Sequence, residues 1–106
     1  MLDWLNQDLS AANQNRQEKP WIVALTHRPL YCSSQGSDDC LYNQERFSDF
    51  EDLLINQKVD LLVGGHVQIY ERMLPIKKGQ VTPFVHRAWD RNYRFIINPQ
   101  SSIHVV

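Results

Sequence analysis

Apolar side chains recur near the start of the chain at the spacing of a helix. Leu2, Leu5 and Leu9 stand at i, i+3 and i+7, with Trp4 and Ala12 beside the stripe. This predicts an amphipathic helix over residues 2 to about 14 with one buried face. The polar run Asn13 to Lys19 ends it, and Pro20 blocks any continuation. Trp21-Ile22-Val23-Ala24-Leu25 follows as an unbroken apolar run, β-branched at its centre, which predicts a strand buried on both faces. Phe47, Phe50, Leu53 and Leu54 return to helical spacing between Asn43 and Gln57, with the acidic residues of that stretch on the exposed face. Val59 to Val63 then reads as a second strand, stopped by Gly64-Gly65. Strand, helix, strand in that order is a βαβ unit with two parallel strands. Beyond it, Ile69 to Ile76 is expected as a short strand, Lys77 to Asn92 as irregular, and Tyr93 to Ile97 and Ile103 to Val106 as two more strands.

At 106 residues the chain offers one modest core and no more than one domain. Its longest apolar runs fall far short of the roughly 20 residues that span a bilayer, which excludes a membrane-crossing helix. Eleven Lys and Arg against twelve Asp and Glu leave a net charge of −1, which provides no basic field for a nucleic-acid backbone. Met1 to Asp8 lacks the basic start and apolar stretch of a secretory signal, so no export address is expected in the chain as written. The two cysteines, Cys32 and Cys40, are too few for a disulfide scaffold and too widely spaced for a short zinc hook. Spacing alone leaves a local disulfide and two free thiols equally open.

Strand order gives two of the four histidines a meaning. His27 and His66 each follow a strand of the βαβ unit and so fall at carboxyl ends, the edge where open α/β sheets bind ligands. On neighbouring strands about 4.8 Å apart, both imidazoles come within reach of one ion. Gly64-Gly65 fits a sharp bend and a close approach of backbone at the same place. Asp60 stands at the start of its strand, several residues at about 3.3 Å each from His66, and is set aside as a ligand. Asp38 and Asp39 lie in a Ser- and Gly-rich loop of about 17 residues, Thr26 to Tyr42, and read as solvated. His104 reads as a strand residue facing a polar neighbour, and His86 has no partner visible in sequence.

Thr26-His27-Arg28-Pro29-Leu30-Tyr31-Cys32-Ser33, followed after a helix by Val59 to Gly65 and then His66-Val67-Gln68-Ile69-Tyr70-Glu71-Arg72, resembles the last two motifs of the purple acid phosphatases within the calcineurin-like metallophosphoesterases. The likeness runs over nearly the whole chain. It implies an α/β fold, the C-terminal half of a β-sandwich flanked by helices, with residues 1–106 as the C-terminal portion of a catalytic domain. It also implies a di-metal centre, iron with a second divalent metal (zinc, manganese or iron), where an activated hydroxide attacks a phosphate ester. By the same resemblance, His27 and His66 match ligands of the second metal. Gln68 stands where the family has a second histidine, which binds iron, and an amide oxygen is a poorer ligand than an imidazole. Cys32 and Cys40 resemble the paired cysteines of the animal-type long-form branch, whose relatives are usually secreted or lysosomal.

The family's upstream motifs, which supply the bridging aspartate, the tyrosine and the asparagine and histidine of the site, do not occur in these residues. The resemblance therefore implies the back half of an active site, holding at most one metal weakly until the N-terminal half of the domain is present. The expected whole is a phosphomonoester hydrolase. The alternative is a binding or scaffolding domain that has lost its metal centre, with Gln68 as the mark of that loss.

Overall fold

The computed structural model describes residues 1–34, 40, 44–85, 92, 96, 97 and 99–106, with the side chains of 44–46 left aside. Helix α1 spans Leu2–Asn13, strand β1 Val23–Thr26, helix α2 Gln44–Asn56 and strand β2 Leu61–Gly64. Strands β3 (Ile76–Lys77) and β4 (Gln80–Val81) form a short antiparallel hairpin, and β5 is Ile103–Val105. The main sheet is parallel, in the order β1-β2-β5, with Val23 opposite Leu61 and Leu62 opposite His104. The mixed α/β architecture and the βαβ order are those expected from the sequence.

Both helices serve one face of this sheet. Leu9 of α1 and Leu54 of α2 share a core with Ile22, Leu30, Tyr31, Val59 and Leu62, and Ala24, Phe47, Phe50 and Met73 pack against it. The other face is exposed at β1, which corrects the expectation that Trp21 to Leu25 is buried on both sides. Ile22 is 7% exposed, whereas Val23 is 52% and Leu25 77% exposed. The period-2 alternation of a strand therefore operates within an all-apolar run. Among the described residues no element packs over Val23 and Leu25, and no strand pairs with the outer edge of β1.

Local capping explains where the elements stop. After α2, Lys58 takes a left-handed conformation (φ 54°). Its N–H donates to the Ile55 carbonyl at 3.0 Å and that of Val59 to the Leu54 carbonyl at 2.9 Å. This is a Schellman motif, with the Leu54–Val59 apolar contact that accompanies it, although lysine holds the place usually taken by glycine. Gln57 clasps α1, receiving an Asn13 amide bond at its carbonyl (2.8 Å) and donating to Asn6 (2.6 Å) and Ser10 (3.0 Å). Asp60 accepts Arg16 at 2.6 Å and the Ile22 N–H at 2.8 Å. It is a structural tie at the amino end of the sheet, away from the rim that carries the histidines.

Two stretches differ from their expected form. Ile69 to Ile76 is not a continuous strand. It touches β5 through an antiparallel bridge, Arg72 with Val105, and through the Met73 N–H to the His104 carbonyl at 3.0 Å. Part of the stretch expected to be irregular, Lys77 onward, instead holds the β3–β4 hairpin. Its two-residue turn has positive φ at both Lys78 (49°) and Gly79 (74°), as a type I′ turn requires. Most of Tyr93 to Ile97 lies outside the described residues, as do Asp38, Asp39 and His86, and Ile97 bridges to Val85.

The hairpin is held by a buried polar cluster. Glu51 is 1% exposed, contrary to the expectation that α2 turns its acidic residues to solvent. Its Oε1 accepts the Tyr31 hydroxyl at 2.5 Å and the Lys78 N–H at 2.9 Å, while the Gly79 N–H donates to the Tyr31 hydroxyl at 3.1 Å. The Tyr31 ring meets His104 edge-on, with centroids 5.1 Å apart. Buried polar groups are tolerable when satisfied in this way, and the network ties the loop after β1 to α2, the hairpin and β5.

Candidate functional site

The carboxyl ends of β1 and β2 lie side by side because the two strands pair in parallel as far as Thr26 and Gly64. The chain leaves both strands at this level, and the two departures are packed tightly together. A Cβ on Gly64 would come within 2.8 Å of the Pro29 Cα and 2.9 Å of its Cβ, so only glycine admits the buried Pro29 here. The Gly65 N–H is shared between the carbonyls of Thr26 and His27, each at 3.2 Å. The glycine pair thus provides the close approach expected of it.

The sharp bend falls one residue later. His66 has φ 69°, and the Val67 N–H returns to the Gly65 carbonyl at 2.8 Å. A bond from residue i to i+2 about a positive-φ centre is the less common, strained γ-turn. A side chain with a Cβ in that region costs on the order of 1 kcal/mol, a strain typical of ligand-binding positions. The bend carries the imidazole of His66 toward that of His27. His66 Nδ1 stands 3.0 Å from His27 Nε2, with ring centroids 4.8 Å apart and planes at 72°. Both histidines are exposed.

That separation admits two chemistries. One ring nitrogen donates to the other according to tautomer, or both lone pairs face one cation, since two nitrogens at 3.0 Å can each lie about 2.0–2.1 Å from a single metal. The donor set, two neutral imidazoles on fixed backbone, suits a borderline divalent ion. Gln68 follows on the same exposed arm, at the centre of a second i to i+2 bond, the Ile69 N–H to the Val67 carbonyl at 2.9 Å. No group of three or more His, Cys, Asp or Glu comes together among the described residues. Cys32 and Cys40 form a disulfide, which resolves the alternative that spacing left open and closes the loop that leaves β1.

The order and character of these residues agree with comparisons to known proteins. The family profile described as Calcineurin-like phosphoesterase matches residues 2–70. The chain belongs to the calcineurin-like phosphoesterases. Within that family it is 35% identical over 111 residues to human "Acid phosphatase type 7", across 97% of this chain and 24% of that relative. The zebrafish protein of the same name is 32% identical across 98% of the chain. "Purple acid phosphatase 22" of Arabidopsis thaliana is 32% identical across 76%. The chain spans about a quarter of the length of the acid phosphatases it matches over nearly all its residues.

The clamps on that rim were less legible. Glu71, whose Oε2 accepts the Ser33 N–H at 2.8 Å, has no periodic or motif signal of its own beyond its place in the Tyr70-Glu71-Arg72 triplet. Tyr31 and Glu51 meet across 20 positions of sequence, and nothing local announces the pairing.

Proposed function

We propose that these residues supply one wall of the metal centre of a phosphomonoesterase. His27 and His66 are the ligands of one divalent metal, and Gln68 occupies the position of a second-metal ligand with a neutral, weaker oxygen donor. The observation that carries this reading is the 3.0 Å approach of the two ring nitrogens, from adjacent parallel strands, in a calcineurin-like phosphoesterase. When bound, such metals acidify water to near neutrality and polarise phosphate oxygens. The chain's own contribution is to hold two imidazoles in a fixed relation on exposed backbone, where a phosphate ester has access. The carboxylates that bridge a di-metal centre come from the remainder of the catalytic domain. Without it these residues hold at most one metal, weakly, and hydrolyse nothing.

The expected test result is that a polypeptide containing the whole catalytic domain holds two metals, iron with zinc, manganese or a second iron. It hydrolyses p-nitrophenyl phosphate and loses that activity on His66→Ala. Gln68 in place of an imidazole favours a second reading, a binding or scaffolding domain without catalysis. That reading predicts one metal or none and no hydrolysis from the same polypeptide.

A further inference from the structure

The arm that carries His66 is fixed at both ends. At its start the Gly65 N–H binds the Thr26 and His27 carbonyls, a long shared bond at 3.2 Å. At its far end Glu71 is tied twice. Its main chain exchanges bonds with Val106, N–H to carbonyl at 3.1 Å in one direction and 2.9 Å in the other, which moors it at the carboxyl end of β5. Its side chain reaches across to accept the Ser33 N–H at 2.8 Å. Ser33 lies beyond His27 on the other loop, next to the disulfide at Cys32. The two loops that bear the imidazoles are therefore bracketed, with the ring contact between the brackets. A carboxylate accepting a backbone amide makes a bond roughly twice as strong as a neutral one, so the Glu71 end is the stronger.

We propose that Glu71 is a positioning residue for the His27–His66 pair: moored to β5 by its main chain, it holds the loop after β1 through Ser33 at the spacing where both ring nitrogens face one cation. This rests on the reading of the two histidines as metal ligands. The carboxylate acts as a hydrogen-bond acceptor at fixed distance and does not touch the ion, as groups that orient ligands from behind commonly do.

The test is cobalt(II) titration of the polypeptide that contains the whole catalytic domain, read by visible absorption, with near-ultraviolet circular dichroism to report folding. Loss of a ligand-orienting partner typically costs 10- to 100-fold in metal affinity, so Glu71→Ala is expected to weaken cobalt binding by about that factor. Glu71→Gln keeps an acceptor oxygen but gives up the charge assistance, so it is expected to lose clearly less affinity than Glu71→Ala. Equal weakening by both variants, or by neither, overturns the proposal. Ser33 is exposed, and Ser33→Pro deletes the N–H itself, so it tests the same bond should Glu71→Ala fail to fold. Each is expected to weaken binding alike, with no further loss in the double variant, whereas additive losses overturn the coupling. His66→Ala separates the two levels. If it removes a cobalt ion while Glu71→Ala leaves the affinity unchanged, the positioning role fails alone; if it leaves binding intact, the ligand reading fails first.

Discussion

Lowering the pH from 7 to 4 is expected to cost the fold about 3 kcal/mol through one side chain, His104. Its imidazole is 4% exposed on the helix-covered face of β5, and burial pushes its pKa down to about 4, against a weaker upward pull from the Glu51 carboxylate. In the unfolded chain a histidine titrates near 6.5. Above about 6.5 both states leave it neutral and it contributes no slope. Between about 6.5 and 4 the unfolded state binds the proton and the native state does not, so stability falls with pH by up to about 1.4 kcal/mol per unit. Small domains hold only about 5–15 kcal/mol in total, so this loss decides whether the fold tolerates acid. Urea unfolding followed by tryptophan fluorescence, in steps from pH 7 to 4, measures it. Subtracting the same series for His104→Leu cancels the carboxylates and the two exposed rim histidines. A wild-type minus variant difference that stays flat over this range, or a native His104 ring that titrates near 6.5 by NMR, refutes the reasoning.

Glu51→Ala leaves the Tyr31 hydroxyl and the Lys78 N–H without their acceptor and is expected to destabilise by about 2–5 kcal/mol in the same urea assay, with the hairpin amides losing hydrogen-exchange protection first. Gly64→Ala drives a methyl group into Pro29 and is expected to cost about 1–3 kcal/mol, and His27 and His66 NMR shifts should move together; a silent substitution there contradicts the packing argument. Lys58→Gly relieves the left-handed residue after α2, with an expected gain of up to about 1 kcal/mol in chemical unfolding. The 106 residues expressed alone are expected to self-associate through the outer edge of β1 and the exposed Val23 and Leu25, and a monomer by light scattering with one sharp melting transition would show that face to be harmless.

The sequence is legible where its periods are pure. Leu2, Leu5 and Leu9 predict α1, and the apolar runs on either side of α2 predict parallel neighbours whose ends bring His27 and His66 together. Gly64-Gly65 marks the close approach, although the left-handed turn belongs to His66 and not to either glycine. The exposure of the second face of β1 is not legible, because an all-apolar run does not say how many layers cover it. The hairpin at Lys78-Gly79 was hidden because lysine is not a usual residue for the first position of its turn, and what holds the turn is Glu51, 27 positions away. A charge on a helix is read as solvent-facing until a distant hydroxyl and amide are known to meet it.

Because His27 and His66 hang from strands paired residue for residue, their meeting also gauges the sheet beneath them. A slip of β2 by a single residue along β1 would shift the second imidazole by about 3.3 Å and turn Leu62 outward in exchange for Val63. On the proposed reading of the two rings as metal ligands, their assembly and correct strand alignment are the same event, and an ion seated between them would select against misaligned forms of the chain as it folds.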